Sequence, residues 1–400
     1  MAASWGLLST RRLGWAPNVV SKRELRDIFY VTMIGLPIAP ATFFAVFLFS
    51  GYQREKVEPD ETVIFFPGIA RPAKGGGWEV EIHGCIFEPE EDSAWRKSVI
   101  DLLRVALGVG DDPDEKLTLE RRLRPFLVDN ERGKILKVKL CGKTRELGAS
   151  EPNGHFRGTV RLTDEEVRRE LVRPGATKVS IGMEAVLQKG DARVFRGQVQ
   201  LISEAGISVI SDIDDTIKVS EVLDRKALLR NTFLKDFKTV EGMPALYRAW
   251  AEKGAVFHYV TASPWQLYEP LEAFVRDGGF PAGTFHMRPF RLKDSSVLDI
   301  FSSSIDYKTS QIVPLIEASG KRQFVLVGDS GEKDPEIYGS VARKFPGAIR
   351  AIFIRDVTDE GAKSERIFKA FQDVPGSLWH VFRDSKELAN AVSLFTPESP

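Results

Sequence analysis

The sequence predicts an α/β chain in which a doubly wound parallel sheet follows a smaller β-rich, sandwich-like domain. Two observations predict it. From Gly206 onward, short apolar runs alternate with helical patterns, as strands buried on both faces and joined by helices do. Before that, apolar residues recur with period two, the mark of half-buried antiparallel strands. The 400 residues suit two domains of ordinary size, and the boundaries read as an amino-terminal segment 1–57, a β-rich domain 58–205 and a Rossmann-like domain 206–400.

The amino-terminal segment carries no charge from Ile28 to Gln53, and Phe43 to Phe49 is strongly apolar. Arg11, Arg12, Lys22, Arg23 and Arg26 precede it. Crossing a bilayer takes roughly 20 apolar residues, and the upstream cations would hold the amino end in the cytoplasm. A membrane anchor, a long export signal and a buried hairpin all fit residues 28–53. Gly35, Pro37 and Pro40 weaken a helix and favour the hairpin, which would leave the chain cytoplasmic.

Gln53 to Glu61 is polar and reads as a linker. Trp78, Val80 and Ile82 alternate with polar residues, as do Leu136, Val138 and Leu140, and Val199 and Leu201. One helix interrupts these strands, with Trp95, Val99, Leu102 and Ala106 on one face. Thr163 and Glu166 have the spacing of a capping box and start another. In the second domain the expected strands are Ile207–Ile210, Ala255–Val260, Phe324–Val327 and Ala348–Ile354. Helices are expected from near Pro244 and over Gln266–Arg276, Lys308–Ser319 and Pro335–Phe345. In such sheets chemistry sits beyond the carboxyl ends of the strands.

The first of these strands runs into Asp212-Ile213-Asp214-Asp215-Thr216. Three acids in four positions repel one another without a cation, and a hard, oxygen-rich site selects Mg²⁺. The third ends in Gly328-Asp329-Ser330-Gly331-Glu332-Lys333-Asp334. Asp329 can hold the same ion; Asp334 is either a further ligand or the cap of the helix beginning at Pro335. The second ends in Thr261-Ala262-Ser263-Pro264, where Thr261, and after it Ser263, can bind a phosphate oxygen. Lys308 opens a helix and supplies the cation a carboxylate needs to approach a phosphate dianion.

Composition narrows the partners. Lys+Arg and Asp+Glu both number 56, so no dominant nucleic-acid footprint is expected. The five histidines form no HxxxH pair, and the two cysteines, Cys85 and Cys141, show no metal-ligand spacing, which leaves oxygen ligands and Mg²⁺ rather than Zn²⁺. The cysteines read as two separate buried thiols, or as one disulfide in an oxidising compartment.

Asp212-x-Asp214-x-Thr216, Thr261, Lys308 and Gly328-Asp329 through Asp334 together resemble the four motifs of the haloacid dehalogenase superfamily. A narrower set resembles the actin-patch-protein type of phosphatidate phosphatase: Asp212 through Lys218, Asn231-Thr232-Phe233, Gly242-Met243, Thr261 through Leu267 and Gly328 through Glu332. Phe65-Phe66-Pro67 and Trp78–Glu88 are similar to that family's preceding β-rich domain, so the resemblance runs from about Asp60 to the carboxyl end. It implies a haloacid dehalogenase-type fold, a phospholipid substrate and hydrolysis of phosphatidate to diacylglycerol through an aspartyl-phosphate. In that scheme Asp212 is the nucleophile and Asp214 the acid and base. Asp212, the Asp214 carbonyl and Asp329 hold Mg²⁺, with Asp334 as a further candidate. Thr261 and Lys308 hold phosphoryl oxygens, and Thr216 fixes the loop.

Two other readings stand beside it. One keeps the chemistry but acts on a soluble phosphoester or a phosphoprotein. Phe233, Phe237, Trp265 and the cations Arg288, Arg291 and Lys293 would then have no acyl chain or anionic interface to meet, and the aromatics would be core. The other is a non-catalytic envelope adaptor with a vestigial phosphatase domain.

Overall fold

The computed structural model describes residues 56–89, 94–172, 180–290 and 305–395. All of them lie in one compact unit, Arg54–Pro400. The apolar run 28–53 and the cations Arg291 and Lys293 fall outside the described residues. Among the described residues no helix is long and apolar enough to cross a membrane.

Eight strands make the first sheet: β1 (Thr62–Pro72), β2 (Trp78–Glu88), β3 (Asp129–Asn130), β4 (Ile135–Leu140), β5 (Lys143–Ala149), β6 (His155–Leu162), β7 (Ser180–Val186) and β8 (Arg196–Leu201). Their order is β3-β2-β1-β8-β7-β4-β5, with β6 also paired to β2. The faces expected of a sandwich belong to one continuous sheet that curls until β5 and β6 lie side by side. Its pairings are antiparallel except β1 with β8, which is parallel. The period-two pattern decides the faces: Leu136, Val138 and Leu140 are buried while Lys137 and Lys139 are exposed. Inside, Ala70, Val80, Phe156 and Val199 are wholly shielded from water. Gly84 is required there, because a Cβ would stand 2.3 Å from the Phe156 ring and 2.4 Å from the Ile64 carbonyl oxygen.

The capping box forms as expected, with Thr163 and Glu166 bonding reciprocally at the start of the helix Asp164–Leu171. In the helix Ala94–Leu107 the outcome differs. Leu103 and Leu107 are buried, whereas Leu102, assigned to the inner face, is 69% exposed. Adjacent helical positions differ by about 100°, so Leu102 points to water when its neighbour Leu103 faces the core. Cys85 and Cys141 are half-buried and form no disulfide with each other. Burial pushes the Cys85 thiol up to about 12, which makes it a poor nucleophile.

The second sheet contains β9 (Ile207–Ser211), β10 (Val256–Pro264), β11 (Gly283–Arg288), β12 (Gln323–Asp329), β13 (Ile349–Arg355) and β14 (Trp379–Phe382). The order is β11-β10-β9-β12-β13-β14, and every pairing is parallel. This is the doubly wound Rossmann order, whose direction reverses between β9 and β12. The four expected strands are all present. The edge strands β11 and β14 were not expected: Thr284 and His286 interrupt the apolar pattern of one, and the other has four residues. β10 extends beyond its expected end and takes in Thr261 and Ser263.

Alternate residues of these strands serve two cores. Val209, Tyr259, Val325 and Val327 pack with Tyr247 and Trp250 on one side. Ile210, Val260, Leu326 and Ile352 pack with Ile312, Ile337 and Val341 on the other. The first core also takes Phe66, Leu103, Leu107, Leu119, Leu123 and Phe126 from the β-rich half, so packing runs unbroken across the change of sheet at residue 206. The Phe66 ring lies 4.0 Å from that of Trp265, centroid to centroid. Arg122, on the helix Pro113–Leu123, donates to the carbonyls of Thr232, in the last turn of the helix Arg225–Phe233, and Lys235, just after it, where such acceptors lack helical partners.

Phe66 is 4% exposed, and truncating such a ring costs about 3–5 kcal/mol. Phe66→Ala is therefore expected to lower the urea midpoint of the whole unit in a single transition. Two separated transitions, with the second at the wild-type midpoint, would show that the sheets unfold independently.

Candidate active site

Asp212 follows β9 and Asp329 ends β12, so the two carboxylates flank the point where strand order reverses. The Asp212 amide donates to the Val327 carbonyl across the two strands, 2.9 Å away, which fixes the register between them. Asp212 is fully buried. Its Oδ1 accepts from Lys308 Nζ at 2.9 Å, and its Oδ2 accepts from Thr216 Oγ1 at 3.0 Å. Thr216 thus orients the nucleophile candidate itself, in addition to the loop it was expected to fix.

Lys308 lies in the first turn of the helix Ile305–Glu317 and is 1% exposed. Besides Asp212, its ammonium meets Asp334 Oδ1 at 2.6 Å and Glu332 Oε2 at 2.9 Å. Asp334 is the first residue of the helix Asp334–Lys344 and does not cap it. Gly328 makes room for it: a Cβ there would stand 2.3 Å from Asp334 Oδ2. Asp329 Oδ1 accepts the amides of Gly331 at 2.6 Å and Glu332 at 3.1 Å, while its Oδ2 is buried with no partner.

Four carboxylates, Asp212, Asp329, Glu332 and Asp334, thus surround one ammonium. Burial pushes Asp212 well above the usual carboxylate range; Lys308 pulls it back, and Asp334, Glu332 and Asp214 add to the rise. Burial likewise raises Asp329, with Asp334 next in effect. Burial alone would lower Lys308, but Asp212, Asp334 and Glu332 outweigh it and hold the ammonium protonated. Asp212, Asp329 and Asp334 each offer an oxygen within 4.8 Å of the others. An orphaned carboxylate oxygen, an all-oxygen donor set and excess negative charge fit a hard divalent cation.

The Asp214 carboxylate turns elsewhere, so its expected contribution to an ion is confined to its main-chain carbonyl. Lys218 Nζ and Ser220 Oγ each lie 2.7 Å from its Oδ1. Ser263 Oγ and Thr261 Oγ1 donate to its Oδ2 at 3.0 and 3.3 Å. Burial would raise this carboxyl, but Lys218 and the hydroxyl donors outweigh it and hold it below the usual range. The two hydroxyls expected to grip a phosphate therefore rest on the acid–base candidate, and both stand inside β10.

Asp215 leaves the repelling set altogether. It adopts φ 53°, a region that tolerates Asp better than most residues. Its carboxylate accepts amides from Ser220 at 2.8 Å, Glu221 at 3.0 Å and Val222 at 2.6 Å. Arg355 bonds its carbonyl at 2.6 Å. Its charge is thus met by the loop that follows and needs no ion. Phe233 and Trp265 are core, 1% and 7% exposed, and Phe237 stacks on Arg122 with 3.9 Å from guanidinium to ring centroid.

Sequence reasoning assigned no role to Glu332, Lys218, Ser220, Arg355 or Arg366. Arg366 bonds the carbonyls of Ser330 and Glu332 and the Glu336 carboxylate, and so braces the acidic turn. A signal existed for Lys218: it is the one charged residue between Asp215 and Glu221, in the apolar setting Ile217-Lys218-Val219.

Residues 207–356 match the family described as the catalytic domain of phosphatidate phosphatase APP1. An uncharacterized protein of Schizosaccharomyces pombe is 33% identical over 172 residues, 42% of this chain and 28% of its own length. Phosphatidate phosphatase APP1 of Saccharomyces cerevisiae is 37% identical over 158 residues, 38% of this chain and 26% of its own length. The chain thus spans about a quarter of the curated relatives it matches. Among solved structures, a putative haloacid dehalogenase-like phosphatase from Mesorhizobium loti aligns at TM-score 0.32 with 11% identity, covering 49% of this chain and 90% of its own. A putative beta-phosphoglucomutase from Thermotoga maritima aligns at TM-score 0.27 with 13% identity, covering 46% and 98%. Residues 207–356, which carry the motif residues gathered at the reversal of a doubly wound sheet, are thus similar in sequence to the catalytic domain of phosphatidate phosphatase APP1.

Proposed function

We propose that this protein is a Mg²⁺-dependent phosphomonoesterase that hydrolyses phosphatidate to diacylglycerol and phosphate. One observation carries the chemistry: the buried Asp212 carboxylate is held by Lys308 and Thr216 beside an Asp329 oxygen that has no partner. The match to a named phosphatidate phosphatase supports the substrate class.

Asp212, Asp329, Asp334 and the Asp214 carbonyl would hold the cation. Bound there, it supplies positive charge against the phosphoryl oxygens. The remaining chemistry belongs to the chain. A carboxylate oxygen of Asp212 forms a bond to phosphorus as the ester bond breaks; Asp214, ionised at rest, takes up a proton as the phosphate dianion approaches and draws the hydroxyl donors away, and gives that proton to the departing oxygen. Asp214, now ionised, takes a proton from the water that cleaves the aspartyl-phosphate, and Asp212 is regenerated. Lys308 neutralises the nucleophile's charge as the dianion approaches. Thr261 and Ser263, whose hydroxyls rotate freely, turn from Asp214 toward phosphoryl oxygens. A substrate of this class places the enzyme at a lipid surface.

Asp212→Asn keeps the shape and removes the nucleophile. It is expected to lower turnover of phosphatidate in mixed micelles by at least ~10³-fold, with the melting temperature unchanged or raised, since a buried charge is lost. Wild-type turnover in the mutant would refute the assignment.

EDTA is expected to abolish activity and excess Mg²⁺ to restore it. Phosphate release in a metal-free buffer that matches the rate with Mg²⁺ would rule the cation out.

Gly328→Ala drives a methyl into the Asp334 carboxylate. The expected result is a Mg²⁺ activation midpoint raised ~10-fold or more, the scale on which displaced ligand-shell groups act. An unchanged midpoint would remove Asp334 from the ion site.

A further inference from the structure

Where the β-rich sheet meets the second sheet, side chains do not fill all the space between them. A partly open cavity of about 130 Å³ is left. Its apolar wall takes Ile64 and Phe66 from β1, Phe87 from β2 and Val128 from the stretch before β3. The second half of the unit contributes Trp265 and Tyr268, which follow β10. Both charged residues of the wall, Arg124 and Glu269, are exposed, so charge is confined to the side that meets water. Burial keeps the wall groups His155 and Cys85 uncharged near neutral pH: it pulls the imidazole down to about 4 and pushes the thiol up to about 12.

The wall is braced by its own rings. The Phe66 ring centroid lies 4.0 Å from that of Trp265 and 4.9 Å from that of Tyr268. The His83 and His155 rings, hydrogen-bonded at 2.8 Å, pack on Phe66 as well. Rings held in this way resist collapse into the space. Protein interiors leave few voids larger than a water molecule, and an apolar void forfeits packing contacts that a hydrocarbon segment would restore. An apolar cavity of ~150 Å³ takes up benzene, so this one has room for a few carbons of a chain.

The cavity stands beside the candidate active site. Trp265 is two residues after Ser263, whose hydroxyl lies 3.0 Å from Asp214 Oδ2. Two residues of chain span at most ~7 Å. In phosphatidate the glycerol backbone separates phosphorus from the first acyl carbons by a comparable reach. A phosphate at the Asp212 cluster can therefore set one acyl chain against this wall.

We propose that the cavity is an acyl site, which takes up a few carbons of one chain of the lipid while the phosphate is held at the Asp212 cluster. The inference rests on the phosphatase reading above and gives the β-rich sheet a part in substrate recognition. A soluble phosphomonoester has nothing to place there. The site thus separates lipid from soluble substrates by affinity, with the same chemistry acting on both.

The test uses the full chain with Mg²⁺. Turnover of phosphatidate in mixed micelles is compared with that of p-nitrophenyl phosphate, which has no acyl chain. Val128→Phe fills the cavity. Each methylene kept out forfeits a factor of several in affinity, so KM for phosphatidate is expected to rise ~10-fold or more. The loss in kcat/KM on phosphatidate is expected to exceed the loss on the aryl ester by at least that factor. Ile64→Ala removes part of the wall without adding bulk; it is the milder variant, expected to show the same ordering with KM raised ~3-fold. Binding is read separately in Asp212→Asn protein, by quenching of indole fluorescence with a phosphatidate brominated in one acyl chain. Quenching is expected, and it is expected to fall when Trp265→Phe is added.

Equal losses on both substrates, or a wild-type KM for phosphatidate, in a folded Val128→Phe or Ile64→Ala protein would overturn the acyl site and leave the phosphatase reading standing. Quenching that is the same with and without Trp265 would do likewise. A wild-type chain that hydrolyses only the aryl ester would overturn the lipid substrate and the acyl site together. One that releases phosphate from neither compound would overturn the phosphatase reading as well.

Discussion

The site is organised around a deficit of positive charge. Lys308 brings one ammonium to a place where Asp212, Asp329, Glu332 and Asp334 bring four carboxylates, three of them buried and Glu332 nearly so. Burying a charge costs several kcal/mol unless it is paired, and a single lysine cannot pair four. The imbalance is tolerable if protons or a cation make up the difference. The orphaned oxygen of Asp329 shows where a cation would find a ligand already desolvated and held in place. The feature that makes the cluster costly on its own is therefore the one that a bound hard cation would relieve. It also explains why the lysine is braced from three directions: were it to move, the negative charges would be left facing one another.

Around that cluster the backbone does much of the positioning. The β9–β12 register sets Asp212 beside Val327, so Asp212 and the acidic turn are held on one frame. Asp329 gives one oxygen to the amides of Gly331 and Glu332, and that turn is held from behind by Arg366, which lies beyond the stretch matching the APP1 catalytic family. Asp215 does for the loop after Asp212 what Asp329 Oδ1 does for the acidic turn: a carboxylate gathers successive amides and fixes the chain direction. Arg355, from the neighbouring β13, ties that loop to the sheet.

Most of this centre was legible in the sequence because its elements are local. An apolar strand followed at once by acids or hydroxyls can be recognised without knowing what lies beside it, and Asp212, Asp214, Thr216, Asp329, Asp334 and Lys308 were found in that way or through the motifs they form. The same reasoning misjudged Asp215, because its role follows from a left-handed φ and from amides five to seven residues later. It passed over Lys218, whose meaning comes from a contact across one turn. It put Leu102 of the helix Ala94–Leu107 on the buried face, where its neighbour Leu103 stands, as weak periodicity allows, and it missed β11 and β14, since edge strands bury less and carry less pattern. It put Thr261 and Ser263 after β10 when the strand runs through them, because parallel pairing with β11 as far as Pro264 and Arg288 sustains the extended backbone past the apolar run.

The β-rich sheet is more than an appendage to this chemistry. Phe66 and the ring of His83 pack on Trp265 at 4.0 and 4.7 Å, and Trp265 stands two residues after Ser263, whose hydroxyl rests on Asp214. Arg122 holds carbonyls at the end of the helix Arg225–Phe233, and Asn231 of that helix holds Ser220, the other hydroxyl on Asp214. Both sides of the Asp214 carboxylate are thus reached from the first sheet's half of the unit by a chain of two or three direct contacts. Such contacts restrict rotamers rather than carry charge, so their effect is on where Asp214 points. This fits a core that is continuous across residue 206: a carboxylate with donors on both of its oxygens is held only if both sides are fixed, and the second sheet by itself supplies only part of that support.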